Sequence, residues 1–259
     1  MIAKAMFDKE GSKRVINALK LVESLKNTIN LVVSEDGLKF IVLDRSHISF
    51  AILELKPEHF KCNSDEEMIF LPDCEDLRRV LAAYRNGREL FITVDENYLT
   101  LQYANDVNEI EFKLQFGTLE KYDKVPAAPK IEWPAKFTLP VKDLKDAVCA
   151  ANSISDKLYF KSSGETDHIL TCYAEVYENG NETPNLSMKA SFQTDTDYKE
   201  KVWGVYQTLR VNSLLSSRTT FSDEVTLGLD VDMPLLLIFD YEGVGQLKLL
   251  TTPRIESEE

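Results

Sequence analysis

Apolar residues recur along this chain with two alternating periods. Over residues 8–25, Val15, Ala18, Leu19, Val22 and Leu25 fall on one face of a 3.6-residue repeat, which predicts an amphipathic helix. The period then shortens to two, or to short apolar runs, at 29–33, 38–43 and 46–55, with a Ser34-Glu35-Asp36-Gly37 turn, and these segments predict strands. A second helix is predicted from 72 or 73 to about 85. Asp73, Glu75 and Asp76 suit its positive N-terminal end, Leu77, Val80, Leu81 and Tyr84 form its apolar stripe, and Asn86-Gly87 stops it. Alternating strands follow at 89–94, 98–103 and 109–116.

The rhythm then breaks. Residues 116–133 contain Pro126 and Pro129 and run into Pro134, so neither a continuous helix nor a central strand fits. This segment predicts an extended connector, after which the first pattern restarts. A helix is predicted over 140–153 with Leu144, Ala147, Val148 and Ala151 inward, then strands near 157–161, 168–177, 185–193 and 201–206. A helix at 208–218 and strands at 224–231, 235–241 and 245–251 close the chain. The halves share element order and local text: Leu25-Lys26-Asn27-Thr28-Ile29 parallels Ile154-Ser155-Asp156-Lys157-Leu158, each followed by a polar turn. Internal duplication is the economical reading. It predicts an α+β fold of two similar domains of antiparallel sheets with two helices each, over 1–116 and 135–259, joined by a connector at 117–134.

Composition narrows the chemistry. With 44% hydrophobic residues the 259-residue chain can bury a core, which excludes global disorder. No apolar run approaches the roughly 18 residues of a membrane span, and the opening MIAKAMFDKEG lacks the apolar stretch of a signal peptide, so an intracellular protein is expected, with no membrane partner. Cys62, Cys74, Cys149 and Cys172 form no CxxC pair, and His47, His59 and His168 have no HExxH spacing. Nucleotide-binding glycine loops and the GxSxG nucleophile motif are also lacking. Reduced thiols, no metal, no cofactor and no catalytic residues are expected; the chain does not read as an enzyme.

Charge points elsewhere. Acidic residues number 43 against 30 basic ones, a net charge of −13 that by itself argues against nucleic acid over the whole surface. The predicted helices, at 8–25, 73–85, 141–153 and 208–218, hold 11 Lys and Arg against 8 Asp and Glu, leaving +3 on the helices and −16 on the rest. That is the sign pattern of one face meeting phosphate while the remainder repels it. Lys9, Lys13 and Lys20 gather opposite the first apolar stripe, and Arg78 and Arg79 lie away from the second. The third helix offers Lys142 beside Asp146, Cys149 and Ser153; the fourth offers Arg210 with Ser213, Ser216 and Ser217. No aromatic residue interleaves these helical faces, so the pattern predicts sequence-indifferent contact with duplex backbone rather than base stacking.

Several segments together resemble one family. GSKRVINALKLV, LDRSHISFAILEL, the proline-bearing connector, DVDMPLLLIFDYEGVGQLKLLTTPRIESEE and the acidic tail are similar to the sliding clamps of the proliferating cell nuclear antigen (PCNA) family. The resemblance implies a ring-shaped homotrimer that encircles duplex DNA, is opened by a clamp loader, and acts as a processivity factor in DNA replication and DNA repair. Its partners would be DNA polymerase, flap endonuclease and DNA ligase, bound through short peptide motifs of the PIP-box type. An alternative is one subunit of a hetero-trimeric clamp. Subunits would join through the strand at 109–116 and a strand near 171–177 of the neighbour. By position in the family motif, Lys20 and Arg79 are expected to touch DNA backbone, with Lys13, Arg78, Lys142 and Arg210 in support. The client-peptide pocket would use Leu43, His47, Ile48 and Phe50, then Ala128, Pro129 and Trp133, then Pro234, Leu250, Thr252, Pro253 and Ile255. The compartment would be cytoplasm or nucleoid in an archaeon and nucleus in a eukaryote.

Overall fold

The computed structural model describes residues 1–25, 28–117, 125, 126, 129, 131–162, 169–177, 183–194, 201–215 and 221–254. Two compact units emerge: Met1–Ala128 with Arg218–Phe221 and Asp240–Lys248, and Pro129–Ser217 with Ser222–Phe239 and Leu249–Glu259.

The first unit runs β1 (Ala3–Phe7), α1 (Lys9–Ser24), β2 (Asn30–Ser34), β3 (Gly37–Leu43), β4 (Ser49–Leu55), β5 (Lys61–Cys62), β6 (Met68–Phe70), α2 (Cys74–Ala83), β7 (Glu89–Val94), β8 (Tyr98–Ala104) and β9 (Glu109–Gln115). One antiparallel sheet has the order β5-β1-β7-β8-β9 and another contains β6-β2-β3-β4. Strict alternation on β8 buries Leu99, Leu101 and Tyr103. The helices α1 and α2 pack against each other and complete this core with Val15, Leu19, Leu77 and Leu81.

The second unit repeats the plan with β10 (Ala135–Pro140), α3 (Val141–Asn152), β11 (Lys157–Ser162), β12 (Ile169–Val176), β13 (Leu186–Gln193), β14 (Trp203–Gln207), α4 (Thr208–Leu214), β15 (Glu224–Leu229), β16 (Leu235–Tyr241) up to Phe239, and the end of β17 (Gly245–Thr251) from Leu249. Its sheet order β14-β11-β12-β13 reproduces β6-β2-β3-β4, and β10-β15-β16 reproduces β1-β7-β8. The duplication read from the text is therefore present in the strand order as well.

Differences from the sequence reading have local causes. β1 and β10 were not anticipated. Each is a short alternating segment directly before a helix, AKAMF and AKFTLP, and finds its partner only across the chain, in β7 and β15 respectively. The α2 helix is shorter than expected at both ends: Asp73 is its cap, accepting the Asp76 amide at 2.8 Å, and Tyr84 turns to extended backbone at ψ 137°. Most of the expected connector, and the end of the expected fourth helix, lie outside the described residues. One expectation is overturned. The strand near 171–177, expected to pair with a neighbouring subunit, is β12, which is already hydrogen-bonded on both sides by β11 and β13. Among the described residues, the edge strands of that sheet are β13 and β14.

Candidate nucleic-acid interface

In the first unit, helix α1 is set in rotation by two bonds at its start. The Asp8 carboxylate accepts the Gly11 amide at 2.7 Å, and the Ser12 hydroxyl donates to the Phe7 carbonyl at 3.0 Å. Val15, Ile16, Ala18, Leu19 and Val22 are thereby buried, leaving Lys13 exposed and Lys20 half-buried. Seven residues at 100° each return to within about 20°, so these two lysines share a line along the helix. Lys9 pairs with Asp106 at 3.8 Å. Arg14, one position round from Lys13, is engaged inward: its Nε donates to Glu10 at 3.1 Å, its Nη1 to the Phe221 carbonyl at 3.2 Å, and its guanidinium lies 4.5 Å from the Tyr241 ring centroid. Composition counts Arg14 and Lys13 alike; the helical turn separates a packing cation from an outward one.

On α2 both arginines point outward beside acidic neighbours. Arg79 donates to Glu75 at 2.7 Å and Asp76 at 3.1 Å, and Arg78 approaches Glu75 at 3.7 Å. Exposed intrahelical pairs are worth only about 0.3–0.5 kcal/mol. An incoming phosphate can therefore recruit either guanidinium at small cost, while the carboxylates limit the field the helix projects.

The helical face of the second unit is less basic. α3 begins at Val141, whose amide donates to the Asp223 carbonyl at 2.9 Å, and Leu144, Ala147, Val148 and Ala151 are buried. Lys142, Asp146, Cys149 and Ser153 are all exposed on the opposite face, one cation against one anion. The α4 helix starts with the Thr208 amide on the Asp156 carbonyl at 3.0 Å. Its outward positions are Leu209, 62% exposed, and Ser213, with Arg210 half-buried on the flank. Sequence reasoning centred this face one residue later and missed Leu209. An apolar side chain on a polar helical face gives no periodic signal. Ser216 and Ser217 lie outside the described residues.

The residues expected to meet client peptides fall on elements of both units. In the first, Leu43 ends β3 opposite Phe50 on β4. The loop between them is built on Asp44, whose buried carboxylate accepts the Ile48 amide at 2.7 Å, the Ser49 amide at 3.1 Å and the Ser46 hydroxyl at 2.8 Å. This presents an exposed His47, at φ 58°, and a half-buried Ile48. In the second, the Trp133 indole Nε1 donates to the Pro234 carbonyl at 2.8 Å. Leu250 is buried at the end of β17, while Pro129 and Thr252 are exposed and Pro253 is half-buried. Arg254 anchors this segment by its amide on the Val205 carbonyl at 2.7 Å and its guanidinium on Asp156. Ala128 and Ile255 lie outside the described residues.

Among the described residues, no three His, Cys, Asp or Glu side chains gather to hold a metal, and no helix is long and apolar enough to cross a membrane. Cys62 and Cys74 are half-buried, Cys149 exposed and Cys172 buried, all as free thiols. Burial pushes the Cys172 thiol up to about 12 and also raises that of Cys74.

Comparison with known proteins agrees with this architecture. The family model for the N-terminal domain of proliferating cell nuclear antigen matches residues 5–121. A DNA polymerase sliding clamp of Methanothermobacter thermautotrophicus is 27% identical over 242 residues, covering 92% of this chain and 93% of its own. Another, of Methanobrevibacter smithii, is 28% identical over 249 residues with the same coverage. Two solved structures share the fold. One is A. fulgidus PCNA bound to the C-terminal region of FEN-1 (TM-score 0.77, 21% identity, all of both chains). The second is PCNA of Thermococcus kodakaraensis (TM-score 0.77, 24% identity, 97% of this chain and 100% of that one). The chain, with its duplicated α+β clamp fold, matches the proliferating cell nuclear antigen family over its N-terminal domain and is similar to DNA polymerase sliding clamps over 92% of its length.

Proposed function

We propose that this chain is a sliding clamp, three copies of which close into a ring around duplex DNA and tether replication and repair enzymes to it. The observation that carries the reading is the end-to-end match to curated sliding clamps, 92% of this chain against 93% of theirs, which involves both units rather than one domain. The geometry supports it: each unit sets a helix pair on one side of its antiparallel sheets and turns basic residues outward. Lys13, Lys20, Arg78 and Arg79 of the first unit, and Lys142 and Arg210 of the second, are the proposed phosphate contacts. Their small number fits a protein that retains DNA by topology and must still slide, since each phosphate neutralised adds to the counterion-release term.

Ring closure is proposed to pair β9 with β13 of the next copy. Among the described residues each has a single hydrogen-bonded neighbour, and each exposes apolar side chains, Ile110 at 38% and Leu186 at 50%. Pairing covers edges that otherwise invite uncontrolled association. Domain limits of 1–116 and 135–259 follow from the same duplication. Clients are proposed to be polymerase, flap endonuclease and ligase. Their short motifs would meet Leu43, His47, Ile48 and Phe50 and the Trp133, Pro234, Leu250, Thr252 and Pro253 group. The gain is effective concentration: a tethered polymerase that lets go of a primer end rebinds without a new search. The ring itself performs no chemistry and is opened by a clamp loader.

The deciding experiment is polymerase synthesis on primed circular DNA with a clamp loader and this chain. Stimulation that disappears when the template is linearised supports the reading, and stimulation indifferent to linear ends contradicts topological linkage. Light scattering tests the assembly: three 29.5 kDa chains give about 90 kDa, whereas a species of single-chain mass favours a subunit of a hetero-trimeric ring.

A further inference from the structure

The sheet β14-β11-β12-β13 of the second unit has a side that the helices do not use. α3 packs where Leu158, Phe160, Leu170, Cys172 and Ala174 are buried. Strand alternation turns Tyr159, Lys161, Thr171 and Tyr173 to the opposite side, and the antiparallel register aligns them in rows. Val205, Tyr159, Tyr173 and Lys189 stand opposite one another across the four strands; in the adjacent row Trp203 faces Lys161, followed by Thr171 and Ser191. The Tyr159 and Tyr173 rings stack at 4.8 Å between centroids with planes 12° apart. Trp203 is 46% exposed. Lys161 and Lys189 are exposed, and Lys157 opposite Gln207 adds a third cation on the same side. The acid that the described strands place here is Glu175, whose carboxylate accepts the Tyr177 hydroxyl at 2.8 Å.

This combination is the one the basic helices lack. Three aromatic rings framed by three lysines sit on a chain of net charge −13. Diagonal cross-strand neighbours such as Trp203 and Tyr159 stand about 7–8 Å apart, a spacing that suits successive bases of an extended strand. A duplex keeps its base faces inside its own stack and could use only the lysines, and an acidic peptide would likewise leave the rings without partners. We infer that this sheet face binds single-stranded nucleic acid, with bases stacked on Trp203 and on the Tyr159–Tyr173 pair and phosphates on Lys157, Lys161 and Lys189. The inference uses none of the helical residues assigned to duplex contact, so either assignment can fail without the other.

The test is fluorescence anisotropy of a labelled oligothymidylate of about twelve nucleotides, a length within the usual single-strand site sizes, titrated with the full chain at low salt, with tryptophan emission followed in parallel. Binding is expected, with quenching of indole emission that is lost in Trp203→Ala. Affinity should fall at least tenfold in Trp203→Ala and in Lys161→Glu/Lys189→Glu, with thermal melting confirming that both variants fold. Three neutralised phosphates should give a log–log salt slope of about −2. The inference is overturned by absence of binding at low salt. It is equally overturned if the lysine pair matters and Trp203 does not, which is charge without stacking. Displacement of the oligonucleotide by equal amounts of poly-aspartate or blunt duplex, or loss of binding only in Lys20→Ala/Arg79→Ala, also overturns it.

Discussion

The indole of Trp133 fills the space that a side chain at Gly228 would need. A Cβ at 228 would stand 2.7 Å from Trp133 Cγ and 3.1 Å from Leu236 Cβ, while the indole Nε1 is held by the Pro234 carbonyl. Gly228→Ala must therefore displace the ring or β16. Overpacking of this kind costs about 1–3 kcal/mol. The expected result is a lower melting temperature and altered near-ultraviolet circular dichroism; wild-type values for both would show that the close approach imposes no constraint.

Asp44 supports the loop that carries His47 and Ile48. Asp44→Ala leaves the Ile48 and Ser49 amides without their acceptor, a loss of about 1–3 kcal/mol for a buried site. Asp44→Asn keeps one acceptor oxygen and should lie between the two. Urea unfolding measures the stability. Client-peptide titration should show weakened binding in the same order if the loop belongs to the proposed client surface.

Lys20→Ala combined with Arg79→Ala should weaken loading onto DNA, most visibly as salt is raised, while the assembly keeps its mass. The two residues lie on different helices, so their effects should add. Unchanged salt dependence in the double variant would remove these residues from the duplex contact.

Glu54 sits between Lys248, at 2.9 Å, and Lys39, at 3.4 Å. Burial pushes its carboxyl up, but the hydrogen bond and charge of Lys248, with Lys39, outweigh burial and hold it below the usual range. A carboxylate depressed in the folded state stabilises above its unfolded pKa of about 4.3, and that contribution is lost as pH falls through the lowered native value. Glu54→Gln should therefore be less stable than wild type near neutrality, and the difference should shrink on acidification below pH of about 4. A difference constant with pH would mean that packing, not charge, is what Glu54 contributes.

The cysteines should separate by reactivity. The thiolate is the reactive form, so Cys172, buried and raised to about 12, should resist a thiol reagent until unfolding, whereas exposed Cys149 should react in the native protein. Mass spectrometry after brief labelling reads the order directly, and early modification of Cys172 would contradict its burial.

The sequence by itself determined most of the element order, the duplication and the apolar stripes of the helices. Each of these is written in local periodicity: Val15, Leu19 and Val22 repeat with the helical turn, and every second residue of β8 is apolar whatever lies opposite it. Tertiary structure decided what depends on partners far away in the chain. β1 and β10 are strands because β7 and β15 receive them, and β12 is interior because β13 covers the side that the sequence reading had left for a neighbouring subunit. Arg14 is a packing cation because Phe221 and Tyr241 come to meet it. The row of Tyr159, Tyr173 and Lys189 exists only once three strands are in register. Backbone hydrogen bonding and side-chain neighbours across a sheet are non-local, so periodicity can name the face of a strand but not what stands beside it.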